Sequence, residues 1–93
     1  MVVGLLSLEI FIPESNSLKT KRMILRSIKD KIRGDFNVSI AEVDNQNLWQ
    51  RALLGVSIVS NDKKYANRVL NKIVDKLSTN GFISIIDYQI ELL

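Results

Sequence analysis

Ninety-three residues, 46% of them hydrophobic, are enough for one core and too few for two, and a chain of this size buries roughly 60 to 65% of its unfolded surface. With no cysteine and no histidine, disulfide frameworks, thiolate metal sites and imidazole chemistry are excluded, so stability has to come from packing. The net charge is only +3, no run reaches the ~18 apolar residues of a membrane span, and the opening residues lack a basic region or a small-residue cleavage site; the expectation is a single cytoplasmic domain with no membrane contact.

From Val2 to Ile12 the even positions Val2, Leu6, Leu8, Ile10 and Ile12 are apolar while Ser7 and Glu9 fall on the other face, the period of a half-buried strand. Pro13 has no N–H to donate and ends that ladder, and Ser15, Asn16 and Ser17 offer oxygens to cap a helix. The spacing predicts helix one over Leu18 to Arg33, with Gly34 as its left-handed C-cap. Phe36, Val38 and Ile40 alternate with Asn37, Ser39 and Ala41 in a second strand ending near Val43, and "DNQNLW" connects it to a third. There Ala52, Leu54, Val56 and Ile58 form the inward face, and Ser60, Asn61 and Asp62 are all competent N-caps for helix two. In that helix Tyr65, Val69, Ile73 and Leu77 recur every four residues, with Ala66, Leu70 and Val74 beside them and Gly81 as the expected C-cap. The last segment, "FISIIDYQIELL", reads as a strand. Its apolar face changes sides between Ile83 and Ile85 and the set Ile86, Tyr88 and Ile90, which predicts a bulge near Ile85.

The order strand, helix, strand, strand, helix, strand specifies an α+β fold, the ferredoxin-like βαββαβ sandwich. Two right-handed crossovers put both helices on one face of a four-stranded antiparallel sheet in the spatial order four, one, three, two. The covered face should carry Leu6, Leu8, Ile10, Val38, Ile40, Leu54, Val56 and Ile58, which share one parity on each strand. The opposite face would then carry Val3, Leu5, Phe11, Val43, Leu53 and Val59, more apolar surface than a small monomer leaves in water. A homodimer through that face, or through the outer edge of the last strand, is expected.

Catalysis finds little support. General acid–base work would fall to carboxylates, Lys or Tyr, and the one close acidic pair away from the termini is Glu42 and Asp44. A hard cation wants more oxygen ligands than two carboxylates, so the pair reads as a charged strand edge, and no catalytic residue, metal or cofactor is expected. No phosphate-cradling "GxGxxG" or P-loop is present. Base stacking across the sheet is disfavoured too, because the outward face of strand three offers Leu53, Gly55, Ser57 and Val59. Trp49, in "NLWQRA", is expected to close one end of the core, and Arg51 either extends a basic surface or pairs with an acid of strand two.

At "SLKTKR", "FNVSIAEVD", "LWQRALLG" and "VSND" the sequence resembles the YlxP-like family of small bacterial proteins, from the first strand to the last helix. The resemblance implies a ferredoxin-like domain in a family without an established biochemical role. Such proteins are often encoded beside transcription and translation factors, an association that hints at RNA, and the resemblance supplies no catalytic residue.

The functional reading rests on "SLKTKRMILRSIKDKIR", residues 17 to 33, which holds seven of the thirteen Lys and Arg residues and one acid, Asp30. On a helical wheel with Leu18 at zero, Leu25, Ile28 and Ile32 lie between roughly 280° and 340°, with Ile24 near 240°. Lys29, Arg22, Arg33, Arg26 and Lys19 lie between roughly 20° and 100°. Five cations share one arc, bordered by Asp30 alone. Lys21 falls off it, on the apolar side, where it either snorkels or reaches toward the "AEVD" segment. The segment carries +6 and the other 76 residues, with six bases and nine acids, carry −3. A lone basic helix is ordinarily a solvated face; three arginines with bidentate forks on one arc also suit phosphate oxygens. The expectation is a non-enzymatic binding module that touches RNA or a ribonucleoprotein through Lys19, Arg22, Arg26, Lys29 and Arg33. The alternative is a homodimeric regulatory or small-ligand-binding domain that leaves nucleic acid alone.

Overall fold

The computed structural model describes residues 1–93. The elements run β1 (Val2–Phe11), α1 (Leu18–Asp35), β2 (Ser39–Asp44), β3 (Arg51–Ser60), α2 (Lys63–Ser78) and β4 (Ser84–Leu92). They build one antiparallel sheet in the order β2-β3-β1-β4 with both helices on one side, the expected ferredoxin-like arrangement. No helix is long and apolar enough to cross a membrane.

Strand parity decides what is buried. Leu6, Leu8 and Ile10 of β1, Ile40 of β2, and Ala52, Leu54, Val56 and Ile58 of β3 are all buried, while Val38, just before β2, is partly buried against them. These meet Leu25, Ile28 and Ile32 of α1 and Ala66, Val69, Leu70, Ile73, Val74 and Leu77 of α2 in one cluster of 20 residues. Each fully buried Leu or Ile contributes about 1.5–3 kcal/mol relative to exposure, so a one-residue slip of any central strand would forfeit several such terms at once. Between Glu9 and Ile10 the β1–β4 register shifts: Glu9 faces Asp87 and Ile10 faces Ile85, which leaves Ile86 as the extra residue of the expected bulge. The extra residue explains why the apolar side of β4 changes parity there.

The helix starts follow local side-chain chemistry. Ser17 caps α1, its hydroxyl accepting from Thr20 N at 3.1 Å, and Asp62 caps α2, accepting from Lys64 N at 2.9 Å and Tyr65 N at 3.4 Å. The helix ends differ from expectation. No glycine has a positive φ; α1 runs through Gly34 to Asp35, and the extended Phe36 closes it by donating its N–H to Ile32 O. At the end of α2, Ser78 Oγ donates to Asp75 O and Thr79 Oγ1 to Lys76 O, so hydroxyls satisfy carbonyls that a left-handed Gly81 would otherwise have served. Tyr65 also departs from its expected inward place and is 50% exposed. On the wheel it stands about 110° from the centre of the buried arc of α2, too far round to reach the sheet.

Candidate nucleic-acid interface

Helix α1 packs against β2 with its apolar stripe inward, so the cationic arc faces outward beside the β2 edge. Lys19, Arg22 and Arg26 are exposed and Lys29 is half-buried, and none of the four makes an ion pair. Arg22, Arg26 and Lys29 border a groove of about 320 Å³ whose opposite wall includes Glu42. Lys19, Arg22 and Arg26 surround a second hollow with Met23. The fifth cation is partly committed. Arg33 donates from Nη2 to Ile40 O at 2.9 Å and lies 3.7 Å from Asp30, so it covers a carbonyl on the free edge of β2 as well as lining the groove.

Lys21 takes the second of its two expected courses and reaches the "AEVD" segment. Its side chain is 1% exposed, and its ammonium donates to Asn45 O and to Leu48 O, each at 2.7 Å. Glu42 Oε2 lies 2.7 Å from the same nitrogen, at angles outside those of a hydrogen bond, so this third contact is one of charge. Burying an ammonium costs several kcal/mol unless it is paired and hydrogen-bonded, and here two carbonyls accept from it and one carboxylate lies alongside. Two consequences follow. The carboxylate across the groove from the basic arc is neutralised from beneath, and the connection between β2 and β3 is tied to the first turn of α1. Glu42 and Asp44 therefore act separately, for Asp44 Oδ1 accepts from Asn45 N at 2.8 Å while Glu42 faces Lys21.

Trp49 does not close the core. It is 55% exposed in the β2–β3 connection, next to Leu48 at 46%. That end of the core is closed instead by Ile12, whose N–H donates to Gln50 O at 2.8 Å, and by the buried stem of Lys21. Arg51 pairs with Glu9 of the adjacent β1, 3.0 Å away, rather than with an acid of β2.

A family model described as "Protein of unknown function (DUF503)" matches residues 3–90. The chain belongs to that family. It is similar to the uncharacterized protein YlxP of Bacillus subtilis (strain 168), with 33% identity over 73 residues that cover 78% of this chain and 79% of YlxP. Among solved structures it is similar to the de novo designed protein LFR1 1 with ferredoxin fold, at a TM-score of 0.52 and 11% identity, covering 100% of this chain and 84% of that one. At that identity the likeness speaks to fold alone.

Charge by layer is a feature that strip-by-strip reading of the sequence misses. Helix α1 carries seven bases and two acids and α2 five bases and one acid, so the helical layer is net +9; the strands and connections hold one base and seven acids, net −6. The bases of α2 are interleaved with its apolar stripe in sequence and become one surface with α1 only when both helices lie on the same side of the sheet. On the open face, Asp87, Gln89 and Glu91 of β4 stand beside Ser7 and Glu9 of β1, a surface that repels phosphate.

Proposed function

We propose that this protein is a non-enzymatic RNA-binding module that engages phosphates through the outer arc of α1, with Lys19, Arg22, Arg26 and Lys29 as the free contacts and Arg33 as a partial one. One observation carries the reading: four cations on one arc are without ion-pair partners, while of the two acids in their groove Glu42 faces a buried lysine and Asp30 faces Arg33. A salt-bridge lattice that served only solubility would pair such charges along the helix at i,i+4. The layer imbalance supports the same side of the molecule, since long-range attraction draws a polyanion to the helices and away from the sheet. The proposal carries with it a cytoplasmic location, where RNA and ribonucleoproteins are met.

The test is a salt titration of affinity for single-stranded RNA. Four phosphate contacts give a slope of log affinity against log salt of about −2.8, hence a loss of about fiftyfold between 50 and 200 mM salt. Changing Arg22→Glu and Arg26→Glu together should abolish binding and leave unfolding free energy within about 1 kcal/mol, because both side chains are exposed and unpaired. Binding that ignores salt, or survives the double reversal, rejects the reading.

The open sheet face favours a second reading, a homodimeric regulatory or ligand-binding domain. Val43 and Val59 are 55% and 66% exposed there, beside the half-buried Val3, Leu5, Phe11 and Leu53. Together they form an apolar patch on the β2–β3–β1 side of the open face, bordered by Asp87 and Glu91 of β4.

A further inference from the structure

Trp49 is the chain's one tryptophan, and it is held out in solvent by a connection that is fixed on both sides of it. Before it, Leu48 O and Asn45 O accept from the buried Lys21 ammonium, and Leu48 N closes a turn onto Asn45 O at 3.0 Å. After it, Gln50 O accepts from Ile12 N while Gln50 Nε2 donates to Pro13 O at 3.2 Å. Asn45 itself has a φ of 66°, the one non-glycine residue in the left-handed region, and its N–H is taken by Asp44 Oδ1. A loop whose tip did nothing would not need a buried lysine to define it. What the lysine fixes is the connection that carries the exposed indole, and it fixes it to the start of α1, the stretch that also bears Lys19 and Arg22.

We infer that Trp49 is a stacking platform for an unpaired base of a single-stranded RNA whose backbone runs on along Lys19, Arg22 and Arg26. This rests on the phosphate-binding reading above and specifies the form of nucleic acid. Single strands expose the π-faces of their bases and are held by aromatic stacking combined with a positive track, whereas a duplex hides its bases and offers phosphates only. The ferredoxin-like sheet surface plays no part here, since its outward side chains are aliphatic, polar or charged apart from the half-buried Phe11 at the end of β1; the platform comes from the hairpin tip instead. Leu48, exposed beside the indole, gives a second apolar contact for the edge of the stacked base.

Because Trp49 is the only indole, its emission is a site-specific probe. Titration with a short oligouridine strand should quench it to saturation, while the same strand annealed to oligoadenosine should bind without comparable quenching. Trp49→Ala should weaken oligouridine binding about 5- to 150-fold, the range expected for one stacked base, and Trp49→Phe should restore most of the loss. Duplex affinity should be the same in all three proteins. Unchanged affinity in Trp49→Ala, with Arg22→Glu/Arg26→Glu still abolishing binding, overturns the stacking inference and leaves the phosphate reading standing. If neither change affects affinity, both fall. An emission change that follows protein concentration without RNA assigns the indole to a second copy of the chain and also overturns the inference.

Discussion

Replacing Lys21 by Met keeps most of the aliphatic stem and removes the ammonium, which isolates what the buried charge does. Two acceptors lose their donor, Asn45 O and Leu48 O, each 2.7 Å from the nitrogen, and Glu42 Oε2 at the same distance loses its counter-charge. Removing one partner of a buried ion pair costs about 3–5 kcal/mol, and each carbonyl left without a donor about 1–3 if it stays dry. These costs overlap, and Glu42 retains 17% exposure through which water can reach its carboxylate, so the low end, about 3 kcal/mol, is expected. For a domain of this size, that corresponds to a fall in Tm of about 12–24 °C. Urea unfolding should show the loss as a lower midpoint at unchanged m. Glu42→Gln removes only the charge contact and leaves both carbonyl bonds, so it should cost about 1 kcal/mol, and the double variant should cost less than the sum of the two. A loss below about 1 kcal/mol in Lys21→Met would mean that the ammonium is solvated and that the β2–β3 connection is not tied to α1, which would remove the rigid link on which the placement of Trp49 depends.

Gly4 lies on the covered face of central strand β1, where an added Cβ would stand 2.9 Å from Ile58 Cγ2 and 3.0 Å from Leu70 Cδ1. Gly4→Ala should therefore destabilise by about 1–3 kcal/mol through overpacking, measurable by denaturant midpoint, and a stabilised variant would contradict the α2–β1 spacing. Asp62→Ala removes the acceptor for Lys64 N and Tyr65 N at the start of α2 and should cost about 1 kcal/mol, with Asp62→Asn recovering most of it. If the open sheet face associates, sedimentation at tens of micromolar protein should show a species of twice 10.6 kDa, and Val59→Lys together with Leu53→Lys should return it to the monomer; a monomer in the unmodified protein removes that reading.

The parts of this fold that were legible in the sequence are those encoded by short-range period and chemistry. Alternation along β1 and β3 gives the buried parity residue by residue, because a strand has only two faces. The N-caps were readable since Ser17 and Asp62 bond to amides two or three residues away. C-caps were not, because a glycine after a helical run is permitted to be left-handed but is not compelled to be. Gly34 stays helical once Phe36 is available to close the turn, and Gly81 is made redundant by two hydroxyls. At the candidate site the same division holds. The cationic arc follows from 3.6 residues per turn, whereas the partners of Lys21 and Arg33 lie across tertiary contacts, 24 and 27 residues away for the two carbonyls of Lys21. For Lys21 the available signal was its position at about 300° on the wheel, between Ile28 and Ile32, a place where a lysine needs a buried acceptor. For Trp49 there was none, because periodicity stops at the end of a strand and a connection can turn its side chains either way.

The separation of charge between layers also decides how the two proposed surfaces relate. The RNA contact would lie on the helices and the hairpin tip, and the apolar patch on the far side of the sheet, so occupancy of one does not bury the other. A dimer through Val3, Leu5, Leu53 and Val59 would place two +9 helical layers on opposite outer sides, with the acids of β4 nearer the joint. Repulsion between the basic layers would then be reduced by the thickness of two sheets, which at about 10 Å per stacked layer exceeds the Debye length of about 8 Å at physiological salt. Had the basic residues been spread over both layers, an RNA backbone would have competed with the sheet contact for the same surface. Placing the bases on the helices and the acids on the sheet puts association and polyanion binding on separate surfaces, so a dimer found in solution would not by itself count against the RNA contact.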